Sequence, residues 1–231
     1  MQEKKEGYLL WTDVKDEMVK KYDIKNNIVD TSYYMKYNIK NNFKMFAFTS
    51  SKYKFAMKLL ADKKSLLEIG CSEGFFIRMF LDSKEKIVGI DFDEEEISFA
   101  NSNIRSDNIR FICCDFLEYR TNEIFESVIS FDVIEHIMPD KEDIFMENIC
   151  SLLDADGIAI IGTPNLDAAV KHQSELSAKW HVNLYSFERL LKLGDKYFHN
   201  AFLFSSNDEM IHTGFYPMAH YFILIGISPI K

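Results

Sequence analysis

The sequence predicts an α/β protein whose mostly parallel sheet carries helices on both faces. Two observations support this. From residue 65 onward, short apolar runs alternate with stretches of helical spacing. Turns rich in glycine or acid follow the first three runs. Strands that share a direction need crossover connections, so this alternation builds parallel sheets. The chain has 231 residues, enough for one large domain or a domain with a cap. Hydrophobic residues make up 47% of it, so a sizeable core is available.

The elements follow in order. Residues 8–22 are amphipathic, with Leu9, Leu10, Val14, Met18 and Val19 at helical spacing. An aromatic stretch over 33–38 precedes a helix over 51–60, capped by Ser50 or Ser51. The first strand is 66–69, and a helix over 75–81 follows. The second strand is 87–90. A helix over 93–102 then starts on acids, which suits its dipole. Strands three and four are 109–114 and 127–133. A helix over 141–153 ends at Asp156-Gly157, and the fifth strand is 158–162. Residues 186–193 form a helix capped by Ser186. Two last strands, 198–205 and 221–227, flank a polar loop. The chain thus divides into an N-terminal helical segment, 1–64, and an α/β domain, 65–231. Loop insertions interrupt the domain over 165–185 and 205–219.

Composition narrows the partners. The net charge of -9 is repelled by phosphate backbones, so nucleic acid is disfavoured. No apolar run reaches the ~18 residues of a membrane span. Met1 to Gly7 is charged, with no apolar signal region after it, which fits a cytoplasmic protein. Cys71, Cys113, Cys114 and Cys150 form no CxxC pair. They read as free core thiols in a reducing cytosol. No acidic cluster has divalent-metal spacing, so no metal is expected. The oligomeric state stays open, with a homodimer among the options.

Three turns carry the chemistry. The first strand runs into Glu68-Ile69-Gly70-Cys71-Ser72-Glu73-Gly74. Glycines there let a ligand approach the backbone. A dinucleotide turn needs glycines where Ser72 and Phe75 stand, so a nicotinamide oxidoreductase is disfavoured. Asp91, beside Phe92, ends the second strand near the offset at which an acid meets ribose hydroxyls. Asp115 follows the third strand, where an acid accepts the exocyclic amine of adenine and Phe116 covers the ring. Each of the three also has a plainer reading, as a tight turn, a helix cap and a turn carboxylate. Together they converge on one crevice.

As a set, these residues resemble the class I S-adenosylmethionine-dependent methyltransferases. Leu66 to Gly74 matches that family's first motif, and Asp91 and Asp115 match its ribose and adenine acids. Phe131-Asp132-Val133-Ile134-Glu135-His136-Ile137 resembles the fourth-strand motif of the small-molecule branch. Residues 152–157 with Gly162-Thr163-Pro164-Asn165 resemble the ubiquinone-biosynthesis O-methyltransferases. Asp156-Gly157 departs from the family's more frequent Pro-Gly. The resemblance implies a Rossmann-like fold of seven strands with the last antiparallel, and an N-terminal helical lid. It also implies S-adenosyl-L-methionine as cofactor and S-adenosyl-L-homocysteine as product. On this reading Glu68, Gly70, Cys71, Gly74, Asp91, Phe92, Asp115, Phe116, Phe131 and Asp132 bind the cofactor. Residues 181–186, 207–209 and 212–215 resemble methyltransferases of bacterial surface-polysaccharide gene clusters.

Methyl transfer from a sulfonium to a hydroxyl needs alignment and a base. His136, His181 and His212 are the candidates, with Asp208 and Glu209 beside His212 to raise its basicity. His220 opens a strand and reads as structural. Tyr33, Tyr37, Glu135, Asn165 and Asn183 are candidate acceptor-binding residues. The expected function is O-methylation of a small polar acceptor: a sugar, sugar nucleotide or phosphorylated glycan precursor. N-methylation of an amine and a non-catalytic cofactor-binding partner protein are the alternatives. A nucleic-acid methyltransferase is disfavoured, since no Asn-Pro-Pro-Tyr-like tetrapeptide follows the fourth strand.

Overall fold

The computed structural model describes Lys21 and residues 30–231. The helix expected over 8–22 lies outside the described residues, apart from Lys21, which is helical. The chain forms two compact units, Met1–Thr31 and Ser32–Lys231. The larger begins with helices α1 (Tyr33–Asn41) and α2 (Phe43–Leu59). Strands β1 (Ser65–Ile69), β2 (Lys86–Asp91), β3 (Ile109–Cys113), β4 (Phe125–Phe131) and β5 (Leu153–Pro164) follow. Between them lie α3 (Glu94–Asn103) and α4 (Glu142–Leu152). Helices α5 (Leu166–His172), α6 (Glu175–Trp180) and α7 (Phe187–Tyr197) lead to β6 (Phe198–Asn207), β7 (Met210–His212) and β8 (Tyr221–Pro229).

The described strands form one sheet in the order β3-β2-β1-β4-β5-β8-β6-β7. Strands β1 to β5 pair in parallel, and β8 joins β5 antiparallel. The Rossmann-like architecture and the antiparallel last strand are as expected. The expected count of seven is exceeded by β7, which forms a hairpin with β6. That hairpin replaces part of the loop expected over 205–219.

Strand alternation divides the core between the two faces. Leu67, Ile69, Val88 and Ile90 point to one face, packed with α4 and α7 residues such as Phe145, Ile149 and Leu190. Leu66, Ile87 and Ile129 point to the other, covered by Tyr53 and Ala56 of α2. Each fully buried side chain of this size contributes roughly 1.5–3 kcal/mol. Cys71 and Cys150 are the buried free thiols, whereas Cys113 is exposed, which corrects the expectation of core thiols throughout.

Three boundaries differ from expectation. Helix α2 begins at Phe43, well before the expected start at 51, so Ser50 and Ser51 lie inside it and their hydroxyls donate to Phe46 O and Phe48 O instead of capping it. Residues Phe76–Phe80 form a 3₁₀ turn instead of a helix over 75–81. The stretch is hemmed between the left-handed Gly74 and a turn where Phe80 O accepts from Ser83 N–H and Lys84 N–H. There the tighter 3₁₀ winding spans the gap in fewer residues. Strand β5 begins at Leu153, opposite Phe125, and a register shift follows. Asp156-Gly157 therefore lies inside the strand. A Cβ on Gly157 would come 2.9 Å from the Leu153 side chain, so the irregular stretch needs glycine.

Candidate active site

The order of strands reverses between β1 and β4, and ligands of such sheets bind in the crevice beyond the strand ends there. The glycine turn leaves β1 at this point. Gly70 (φ 77°), Ser72 (φ 47°) and Gly74 (φ 72°) are all left-handed. A Cβ on Gly70 would run into Val133 Cγ2, and one on Gly74 would lie 2.7 Å from Phe111. Glycine is therefore required by backbone conformation and by packing together.

Asp91 closes the turn. Its Oδ2 accepts Ser72 N–H at 2.8 Å, and its Oδ1 accepts Asp93 N–H at 3.0 Å. Each oxygen keeps a second lone pair, and the residue is half-exposed, so a hydroxyl pair can still be bound. Next to it Phe92 is 80% exposed, an apolar ring open to a ligand. Asp93 caps α3 by accepting Glu95 N–H and Glu96 N–H.

Glu68 is buried on β1 beneath the turn and accepts the Tyr53 hydroxyl from α2. Its Oε2 has no partner. Burial pushes its carboxyl up to about 8, opposed by the Tyr53 hydrogen bond and aided by Asp91. Glu73, also buried, accepts Ser32 N–H at the start of α1. Helix α1 is thereby tied to the glycine turn, but the rings of Tyr33 and Tyr37 are exposed.

Asp115 is exposed and accepts Leu117 N–H at 2.9 Å. Phe116, expected to cover the adenine ring, turns inward instead. It is buried in the core, edge-on to Phe145 at 5.5 Å. The turn after β3 sends this ring to the face that α4 covers.

The end of β4 holds a second cluster. Asp132 is left-handed (φ 58°), and its N–H donates to Gly162 O at 3.0 Å. Its carboxylate meets Lys52 Nζ at 2.5 Å. Lys52 is 1% exposed and lies over Tyr221, Phe48 and Phe131 at 4.2, 4.7 and 5.6 Å from the ring centres. Phe131 is thus a wall of this cation cage, and its ring also meets Tyr53 edge-on.

Glu135 is buried, and its Oε2 accepts the Thr163 hydroxyl at 3.1 Å. Burial, then the Asp132 charge, holds its carboxyl up to about 8. His136 and His181 face each other with ring centres 5.2 Å apart. His136 Nδ1 lies 2.9 Å from Trp180 O, and His181 Nδ1 lies 3.1 Å from Gln173 Oε1. Burial and the neighbouring His136 push the His181 imidazole down, which favours its neutral form.

Beside this cluster a cavity of about 750 Å³ is lined by Phe43 and Phe48 of α2, Pro164, Ala169, His181 and His220. Asp208 and Glu209 reach its rim. The Asp208 carboxylate faces the His220 imidazole, with Nδ1 at 3.3 Å, so the pairing expected for His212 falls to a residue read as structural. His212 Nδ1 instead lies 3.4 Å from the neighbouring Thr213 O. Asn165 and Asn183 are also structural. Asn165 caps α5 through Asp167 N–H and donates to Ala219 O. Asn183 donates to Glu142 and to the Tyr185 hydroxyl, and its N–H bonds Glu135 O. Each is buried in a bracket that holds a loop; both amide donors of Asn183 are used, while its Oδ1 has no hydrogen-bond partner.

Fold and crevice define an α/β domain whose ligand crevice lies beyond the ends of β1, β2 and β3. The family described as methyltransferase domain matches residues 60–201, and the chain belongs to it. The domain is that of an S-adenosylmethionine-dependent methyltransferase. A carboxy-S-adenosyl-L-methionine synthase of Helicobacter pylori is 27% identical over 146 residues, 62% of this chain. The chain spans 57% of that relative's length. Among solved structures, the N-methyltransferase NodS of Bradyrhizobium japonicum, in complex with S-adenosyl-L-homocysteine, superposes with a TM-score of 0.60 at 15% identity. The match covers 79% of this chain and 88% of NodS. A putative methyltransferase of Haloferax volcanii, in complex with the Trm112 activator, gives 0.65 at 14% identity, over 87% of this chain and 100% of that one.

Proposed function

We propose that the protein transfers the methyl group of S-adenosyl-L-methionine to a hydroxyl of a small polar acceptor. The acceptor class is a sugar, sugar nucleotide or phosphorylated precursor, used in bacterial surface-polysaccharide (capsule or lipopolysaccharide) biosynthesis in the cytoplasm. The observation that carries the reading is the cavity beside His181, next to the buried Glu135 and to His136. A largely apolar pocket with a few titratable side chains, His181 among them, suits an acceptor that must be held and lose a proton.

The cofactor supplies an electrophilic methyl group on a sulfonium, and the chain supplies position and proton handling. Asp91 would hold the ribose hydroxyls with its remaining lone pairs, and the exposed Phe92 would offer the base an apolar face. Asp115 stands where it can accept the adenine amine. The partnerless Glu68 Oε2 fits the cofactor's ammonium end. Lys52 fixes the Asp132 turn, which sets Glu135 and His136 at the acceptor. The Glu135, His136 and His181 cluster takes charge of the acceptor's proton.

N-methylation is the second reading, favoured by the buried carboxylate of Glu135 beside the cavity. A screen of sugar nucleotides, sugar phosphates and small amines, read by mass gain, separates the two. Methylated hydroxyls support the first reading, and methylated amines alone replace it with the second. His181→Ala should lose turnover while retaining S-adenosyl-L-homocysteine binding.

A further inference from the structure

Sequence spacing offers no metal cluster, yet the fold brings Glu135 and His136 of the β4 end against His181, which follows α6. One ligand atom from each lies within 4.8 Å of the others. Ligands of a shared ion at ~2.1 Å stand roughly 3–3.5 Å apart, so small side-chain rotations close the set.

Two further observations point to a cation. Glu135 is 1% exposed, and its Oε1 has no hydrogen-bond donor, although Oε2 has Thr163. A buried carboxylate oxygen without a partner is costly, and a bound cation satisfies it. Both histidines, in addition, have one nitrogen committed. Trp180 O and Gln173 Oε1 only accept, so the facing Nδ1 atoms donate. In the neutral rings Nε2 then keeps its lone pair. A second hydrogen bond of this kind is what orients metal-ligating histidines.

We infer that Glu135, His136 and His181 form a site for a first-row divalent cation at the mouth of the acceptor cavity. Two imidazoles and one carboxylate select zinc, manganese, iron(II) or cobalt over magnesium and calcium, which prefer all-oxygen shells. Three protein ligands leave open positions. Since His181 also lines the cavity, an acceptor oxygen can reach them. The cation-binding claim stands on the three side chains alone. Its role, lowering the pKa of an acceptor hydroxyl, rests on the methyltransferase reading above, with the histidines then acting as ligands instead of a free base.

The test is titration of the chelator-stripped full chain with cobalt(II), followed by its visible absorption. S-adenosyl-L-homocysteine binding is measured on the same samples. One equivalent of cobalt should bind with the ligand-field spectrum of a nitrogen-containing site. His136→Ala and His181→Ala should each weaken it on the order of 100-fold and keep S-adenosyl-L-homocysteine affinity, which shows that they fold. Cobalt binding equal in the wild type and in a variant carrying both substitutions overturns the inference, even where S-adenosyl-L-homocysteine binds normally. Cobalt binding without S-adenosyl-L-homocysteine binding upholds the site and overturns the function proposed for it.

Discussion

The Lys52 ammonium, carried by a side chain only 1% exposed, lies 2.5 Å from Asp132 Oδ2 and ties helix α2 to the end of β4. Asp132 is half-exposed, so water screens much of this pair. Removing the cation still leaves a left-handed turn without its anchor. Lys52→Met should therefore destabilise the protein by ~1–2 kcal/mol in urea unfolding, discounted from the cost of a fully buried pair. An unchanged midpoint would show that the aromatic cage alone holds the turn.

Gly70→Ala attacks the cofactor turn directly. The substitution meets a φ of 77° and the Val133 side chain at once. Left-handed strain and overpacking together should cost ~2–4 kcal/mol. Thermal unfolding checks the first effect, and loss of S-adenosyl-L-homocysteine binding in the folded fraction checks the second.

Asp91→Ala removes an acceptor that also orders Ser72 and Asp93. Two hydrogen bonds to a charged group are lost, each worth ~1.5–3 kcal/mol, so affinity for S-adenosyl-L-homocysteine should fall at least about 100-fold. Circular dichroism should report an intact fold. Wild-type affinity in this variant would rule out the ribose assignment.

Glu68 makes stability pH-dependent. Burial holds its folded carboxyl up to about 8, against ~4.3 in an unfolded chain. The group's contribution is fully present below its unfolded value and is lost as pH rises through about 8. Glu68→Gln cannot ionise and still accepts from Tyr53. Its melting temperature should fall less than the wild type's between about pH 5 and pH 9. Glu135 acts in the same direction, so the slope should shrink without vanishing. Parallel slopes in the two proteins would contradict this.

The parallel sheet was legible because each strand is a short apolar run and each turn after it carries glycine or acid. Gly70, Gly74, Asp91 and Asp93 do locally what their residue types suggest. The acceptor side was less legible, because its partners are distant in sequence. Lys52 belongs to no motif in the sequence; only the fold supplies Asp132 and the three rings. His220 rather than His212 meets Asp208, because the β6–β7 hairpin carries His212 back along β6, opposite Ser205. Asn165 and Asn183 are polar residues in loops, the pattern of a binding site, yet both close backbone gaps. Phe116 follows an acid at the crevice but turns into the core. Glu135, His136 and His181 lie together only because α5 and α6 fold back over the end of β4.

The central claim is that the crevice beyond β1, β2 and β3 binds an S-adenosyl cofactor. Calorimetric titration of the purified chain with S-adenosyl-L-homocysteine, with NAD as a parallel control, tests it most directly. The account predicts one equivalent bound with micromolar affinity and no heat from NAD. No binding of S-adenosyl-L-homocysteine, or binding of NAD in its place, would contradict it.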